Sequence, residues 1–248
     1  MQISAYSFFL WLITPIVQTV IIGTMLKTRL YREAPIFFSY TLFVIFHQLA
    51  SYLVYRLWPN YFFAAAWTGE VISIILGLCV IGEVYEQLLE PYEGIHALAF
   101  LLLRWCIFVA FAIAIFAGIT SPGQDTYRLT VGLMALERSA RIVQVCLLLF
   151  IFSFAKTLHL SWRHHTFGIA LGFSLFAAVS VIGYGVRLEL GPDAGEAIRK
   201  LIPTTYLVTC LVWCAYLFAP AVQRDSVDSL PDSDLSRWNL TVLELIKR

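Results

Sequence analysis

The stretch LTVGLMALERSARIVQVCLLLFIFSF (Leu129–Phe154) is apolar over the length of a membrane-spanning helix, yet it contains Glu137, Arg138 and Arg141. An ionised side chain at membrane depth costs several kcal/mol unless it is paired or faces water. Such residues are therefore expected to face the interior of a helix bundle or a hydrated cavity. The stretch predicts a polar site inside a membrane protein, and this site is the best indication of function in the sequence.

The composition of the whole chain indicates the same class of protein. Of its 248 residues, 60% are hydrophobic and 13% are charged, and the mean hydropathy is +0.79. These values lie well outside the range of ordinary soluble domains. A net charge of only +1 excludes recognition of nucleic acid through a basic field. The sequence therefore predicts an all-α integral membrane protein.

Seven hydrophobic segments in the chain have the length needed to span a bilayer, which is about 20 residues. They cover residues 5–26, 35–58, 61–83, 97–120, 129–156, 166–187 and 197–219. Because no backbone polar group can remain unpaired in lipid, each segment is expected to be a helix. Residues 1–220 are thus predicted to form a seven-transmembrane-helix bundle, and residues 221–248 a cytoplasmic tail.

The positively charged residues predict the orientation of this bundle. Lys27, Arg29 and Arg32 follow the first segment, and Lys156 and Arg163 lie between the fifth and the sixth. Lysine and arginine are enriched in cytoplasmic loops. The N-terminus is therefore expected outside and the C-terminus inside, in a multi-pass protein of the plasma (inner) membrane.

The tail contains a short polar linker followed by a second apolar pattern. Residues 226–234 are acidic and polar, whereas residues 234–248 are predicted to form a short amphipathic helix. One face of this helix would carry Leu235, Trp238, Val242, Leu245 and Ile246. Such a helix either lies on the inner membrane surface or docks a cytoplasmic or membrane protein partner.

Polar residues from several segments are expected at one depth in the outer half of the membrane. Glu137 and Arg141 are four residues apart and share a helix face, so they are predicted to pair. Arg138 points about 100° away, and Glu70 is its expected partner. The predicted ligand-binding residues of this layer are Glu70, Glu137, Arg138, Arg141, Arg56, Tyr55, Tyr184 and Arg187.

Other chemistry finds little support in the sequence. His47 lies near the middle of the second segment, but no second histidine lies at a matching depth for bis-histidine haem ligation. No metal-protease, serine-hydrolase or phosphate-loop motif is present. The signatures of microbial rhodopsins, receptor-type seven-helix proteins and SWEET-type sugar transporters are also absent. The sequence predicts no catalytic residue, no cofactor and no metal.

The leading prediction is a non-enzymatic, sensor-like or receptor-like module. Its outward-facing polar cavity would bind a small anionic or zwitterionic ligand, because arginine recognises carboxylate and phosphate groups through its planar fork. Three alternatives remain at this point. The protein is a small transporter that uses the Glu/Arg cluster, an accessory subunit of a larger membrane complex, or a bundle in which the cluster is a structural salt-bridge network.

Overall fold

The computed structural model describes residues 5–89, 93–120, 125–155, 165–190 and 194–219. These residues form seven long helices: α1 (Ala5–Thr28), α2 (Pro35–Leu57), α3 (Phe62–Leu89), α4 (Glu93–Thr120), α5 (Asp125–Ala155), α6 (His165–Leu190) and α7 (Ala194–Phe218). Two short 3₁₀ turns, Leu30–Arg32 and Pro59–Tyr61, lie in the α1–α2 and α2–α3 connections. The helical prediction for all seven segments is confirmed.

Six of these helices are long and apolar enough to cross a membrane, which supports a multi-pass membrane protein. The remaining helix is α5, and it carries the charged residues Glu137, Arg138 and Arg141. The third helix extends beyond the predicted segment 61–83, because α3 continues to Leu89. The tail and its predicted amphipathic helix lie outside the described residues.

Helices that follow one another in the chain pack against each other, and α1 also packs against α7. The approach of α6 to α7 is close. A Cβ atom on Gly172 would lie 2.2 Å from Nε1 of Trp213, and one on Gly168 would lie 2.2 Å from Cγ of Tyr216. The small-residue face of α6 is therefore used within the bundle, as small residues allow helices to approach closely.

An aromatic core fills the space between α2, α6 and α7. Phe37, Tyr40, Phe173 and Trp213 are buried, and the rings of Phe37 and Trp213 meet edge to face with centroids 5.0 Å apart. The indole Nε1 of Trp213 donates a hydrogen bond of 3.2 Å to the carbonyl oxygen of Ile169. These rings give the centre of the bundle a single packing arrangement.

Glu83 links α3 to the start of α2. Its carboxylate is buried and accepts hydrogen bonds from the backbone N–H groups of Ile36 and Phe37. This contact is not predicted from the sequence, because no local pattern around Glu83 identifies the partner of its carboxylate. Glu83 therefore holds the α2 and α3 ends together.

Candidate functional site

Arg141 is the centre of the predicted charged layer. Its side chain is 9% exposed, and Nη2 lies 3.7 Å from Oε1 of Glu70 and 4.0 Å from Oε1 of Glu137. The pairing predicted between Glu137 and Arg141 is confirmed. Because Glu70 belongs to α3 and the other two residues to α5, this cluster joins the two helices.

Two further groups complete the surroundings of Arg141. Its Nη1 donates a hydrogen bond of 3.2 Å to Oε1 of Gln144, and its Cζ lies 4.6 Å from the centroid of the Phe176 ring. Contact of a guanidinium with an aromatic face is favourable, especially away from water. The contact with Phe176 is not predicted from the sequence, because it crosses from α5 to α6.

Two buried hydrogen-bond donors of the cluster remain open. Within the described residues, Nε of Arg141 and Nε2 of Gln144 have no hydrogen-bond partner. A buried donor without an acceptor costs about 1–3 kcal/mol, so such groups usually face water or a ligand. These two donors can bind an acceptor atom, such as an oxygen of a carboxylate or phosphate group.

The predicted pairing of Arg138 with Glu70 is wrong. Glu70 contacts Arg141 instead, and Arg138 is exposed, with no carboxylate within 4.0 Å in the part of the chain that the structure describes. The reason is geometric: the face of α5 that packs on α3 carries Glu137 and Arg141, and Arg138 is rotated away from it.

Glu70 is the accessible member of the cluster. Its side chain is 37% exposed, compared with 19% for Glu137. Arg141 is its ion-pair partner, and no hydrogen bond to Glu70 is found among the described residues. One side of its carboxylate therefore contacts Arg141, and the other side is accessible.

A second polar group lies beside the cluster, between α1, α2 and α7. Nε2 of Gln18 donates a hydrogen bond of 2.7 Å to the hydroxyl of Tyr206, and the Tyr40 hydroxyl lies next to that of Tyr206. Gln18 and Tyr40 are buried. The bundle interior therefore holds a hydrogen-bonded polar group beside its aromatic core.

A polar cleft of about 360 Å³ opens between α1 and α2. Its lining consists of Trp11, His47, Gln48, Ser51, Tyr52, Tyr55 and Phe62. Tyr55 lines this cleft, and the adjacent Arg56 is exposed. Oε1 of Gln48 is buried and has no hydrogen-bond partner in the described part of the chain.

His47 connects this cleft to the level of the charged cluster. Its Nδ1 lies 3.4 Å from Oγ of Ser51, and its ring rests directly on Gly69, where a Cβ atom would lie 1.9 Å from Cε1 of the imidazole. Gly69 immediately precedes Glu70, so the cleft and the cluster lie at the same level of the bundle. The contact of His47 with a cleft is not predicted from the sequence.

The remaining predicted residues are Tyr184 and Arg187. Both belong to α6, but their side chains lie outside the described residues. Within the described residues, no group of three or more histidine, cysteine, aspartate or glutamate side chains is arranged to hold a metal ion.

Comparison of the chain with protein-family models, with curated proteins and with solved structures finds no match.

Proposed function

We propose that the chain is a seven-span protein of the plasma membrane, with its N-terminus outside, that binds a small zwitterionic ligand without transforming it. The binding residues are Glu70, Arg141 and Gln144, with Glu137 beside them. The protein acts as a sensor-like or receptor-like module. The amphipathic segment of the tail lies on the inner surface, where it anchors the chain or contacts a partner.

The packing of α5 supports the seventh span. This helix contacts α3, α4 and α6, and its buried Arg141 is directed toward α3 rather than away from the bundle. A criterion based on hydropathy alone does not identify α5 as a membrane span, because this helix carries Glu137, Arg138 and Arg141. Charged residues that face a bundle interior are nevertheless compatible with a membrane span.

The observation that carries the ligand proposal is the set of open groups around Arg141. Nε of Arg141 and Nε2 of Gln144 are buried donors without acceptors in the described residues, and they suit a carboxylate or phosphate group of the ligand. The accessible carboxylate of Glu70 suits an ammonium group. Opposite charges on one small molecule satisfy both, which favours a zwitterion over a simple anion.

Access to this site is supported by the polar cleft at the same level. Gln48 offers an unpartnered acceptor within the described residues, and Tyr52 and Tyr55 are exposed at the cleft wall. The cleft is small, so it suits a ligand of the size of an amino acid or of a lipid head group.

Thermal unfolding of the purified protein in detergent micelles tests this proposal. Glycine and phosphoethanolamine serve as zwitterionic probes, acetate as the anion and ethylammonium as the cation. We expect a zwitterionic probe to raise the midpoint of wild type and to lose its effect in Arg141→Gln and Glu70→Gln. Arg138→Gln is the matched control, because Arg138 is exposed on the same helix.

Two results contradict the proposal. If a probe stabilises Arg141→Gln as strongly as wild type, the cluster is not its binding site. If none of the probes changes the midpoint of wild type while Arg141→Gln itself is strongly destabilised, the cluster is a salt-bridge network that fixes α3 against α5.

A small transporter is the second candidate, and one observation favours it. Glu70 is a partly exposed carboxylate at membrane depth, which is a common site for a coupling proton or cation. The aromatic core lies close to the other side of this site. Gln144 of the site and the core residues Phe173 and Tyr40 all lie near Gly77. Uptake of radiolabelled glycine into proteoliposomes, compared between wild type and Glu70→Gln, separates transport from binding alone.

The accessory-subunit alternative receives less support. The small-residue face at Gly168 and Gly172 is covered by Tyr216 and Trp213 of the same chain. This face is therefore not available for another protein.

A further inference from the structure

An apolar groove runs along the lipid-facing side of α2 and α3, separate from the polar cleft. Its volume is about 490 Å³. Its floor is formed by small residues, including Ala50, Ala65 and Gly69, and the exposed side chains of Phe46 and Ile72 contribute to its lining. Because both helices are of membrane-spanning length and hydropathy, the groove opens toward hydrocarbon.

The length of this groove matches one leaflet of a bilayer. On the α3 side it extends from Tyr61 to Ile72, which corresponds to about 16 Å at the helical rise of about 1.5 Å per residue. Half of a typical hydrocarbon core is about 15 Å. A single acyl chain of the leaflet that contacts the α2–α3 turn can therefore lie along the whole groove.

The end of the groove at the α2–α3 turn has the residues that contact lipid head groups. Trp58 and Tyr61 line this end and are exposed, and such aromatic residues prefer the membrane–water interface. Arg56 does not line the groove itself, but it is exposed in the last turn of α2, at the same end, and is the only lysine or arginine between Phe43 and Ile72. A guanidinium at this place complements a negatively charged head group.

His47 forms part of one wall of the groove, between its two ends. His47 rests on Gly69, where any Cβ atom would overlap its ring, and His47 also lines the polar cleft. The imidazole thus separates the apolar groove from the polar cleft.

We propose that this groove is a binding site for one acyl chain of an anionic phospholipid. The head group lies at Trp58 and Tyr61, near Arg56, and the acyl chain ends near Phe43 and Ile72. This proposal does not depend on the ligand proposed for Arg141. The acyl chain passes from the hydrocarbon of the bilayer into an apolar groove. Its binding is therefore driven by packing and by the head group rather than by the hydrophobic effect.

The test uses the full-length protein in phosphatidylcholine vesicles that contain a trace of phosphatidylglycerol with a photoactivatable diazirine on its acyl chain. Labelled positions are located by peptide mass spectrometry. We expect label to concentrate on residues 43–54 and 61–72 in wild type. Ala65→Phe, which fills the groove, is expected to reduce this label by about threefold or more, a modest factor because packing alone is lost.

Ile75→Phe is the matched control, because Ile75 is exposed on α3 but does not line the groove. It should label like wild type. Arg56→Gln should remove the preference for phosphatidylglycerol over a phosphatidylcholine probe. Gel filtration and thermal unfolding establish that each variant is folded, and Ala64→Phe repeats the test at an exposed lining position if Ala65→Phe does not fold.

Three outcomes overturn the proposal. Equal labelling of Ala65→Phe and Ile75→Phe indicates lipid that surrounds the whole bundle. Label spread over other exposed faces, such as that of Phe108 on α4, indicates the same. Equal labelling of wild type by the phosphatidylcholine probe shows that the site does not select an anionic head group.

Discussion

The carboxylate of Glu83 on α3 accepts a hydrogen bond of 2.9 Å from the backbone N–H of Phe37 on α2. Its other oxygen accepts one of 2.8 Å from the N–H of Ile36. The first N–H groups of a helix have no partner within the helix, and the residue before α2, Ala34, offers no side-chain acceptor. A carboxylate from another helix therefore performs the role of an N-cap, at the end of the helix where negative charge is favourable.

This contact predicts a large loss of stability when the carboxylate is removed. Glu83→Ala leaves two backbone N–H groups buried without acceptors, and we expect the free energy of unfolding to fall by about 2–4 kcal/mol. Chemical unfolding in detergent micelles, followed by circular dichroism, measures this change. Glu86→Ala, at an exposed position of the same helix, should change the free energy by less than about 0.5 kcal/mol; similar losses in both variants would argue against the cap.

Arg141→Ala is predicted to destabilise the protein and to abolish stabilisation by ligand. The substitution leaves the carboxylates of Glu70 and Glu137 without this guanidinium; because both are partly exposed, we expect a loss below the about 3–5 kcal/mol that is typical of a fully buried pair. Thermal unfolding with and without the zwitterionic probes measures both effects. Wild-type behaviour of Arg141→Ala would show that the cluster is neither structural nor functional as described.

A combined variant separates the two roles of the cluster. Arg141→Met with Glu70→Gln and Glu137→Gln removes all three charges, and replacement of a buried ion network by neutral residues is often neutral or stabilising. We expect this variant to recover most of the stability lost in Arg141→Ala, yet to remain insensitive to the probes. Recovery of the probe response, measured by the same thermal assay, would rule out these charges as the ligand contacts.

The close approach of α6 and α7 predicts that Gly168 tolerates no side chain. In Gly168→Ala the new methyl group would lie 2.4 Å from Cβ of Tyr216, and this atom cannot move without its backbone. We expect a loss of about 1–3 kcal/mol, measured by unfolding in micelles. Gly23→Ala provides the control, since no atom lies within 4 Å of its added Cβ; because alanine favours a helix over glycine by about 0.5–1 kcal/mol, it should be neutral or stabilising.

Gly69 and His47 are predicted to be energetically coupled. Gly69→Ala forces the imidazole from its position, since the overlap with Cε1 is at 1.9 Å. Removal of the ring in His47→Ala makes room for the methyl group. A double-mutant cycle of unfolding free energies should therefore give a coupling of about 0.5–3 kcal/mol. The double variant should be less destabilised than the sum of the two single variants. Additive effects would show that the imidazole can adopt another position in Gly69→Ala.

Several features of the fold follow from local patterns and were predicted from them. Apolar runs of spanning length specify helices because lipid offers no partner for the backbone, and the helices begin and end within a few residues of these runs. The pairing of Glu137 with Arg141 follows from the helical repeat.

The contacts between helices were harder to predict. Periodicity shows that Arg138 and Arg141 face different directions, but it does not show which direction meets α3, so Glu70 was assigned to the wrong arginine. The contact of Phe176 with Arg141 and the capping of α2 by Glu83 join residues that are distant in sequence. The groove between α2 and α3 has no sequence pattern, because a space is defined only by the side chains on both of its sides.

Local composition and the 3.6-residue repeat are enough to predict a helical chain that suits a membrane and carries charges in the middle of one apolar stretch. The contact of Glu70 with Arg141 rather than Arg138, and that of Glu83 with the start of α2, depend instead on tertiary packing. Which helix faces are buried together depends on how side chains from different helices fit, and that fit is a property of the assembled bundle.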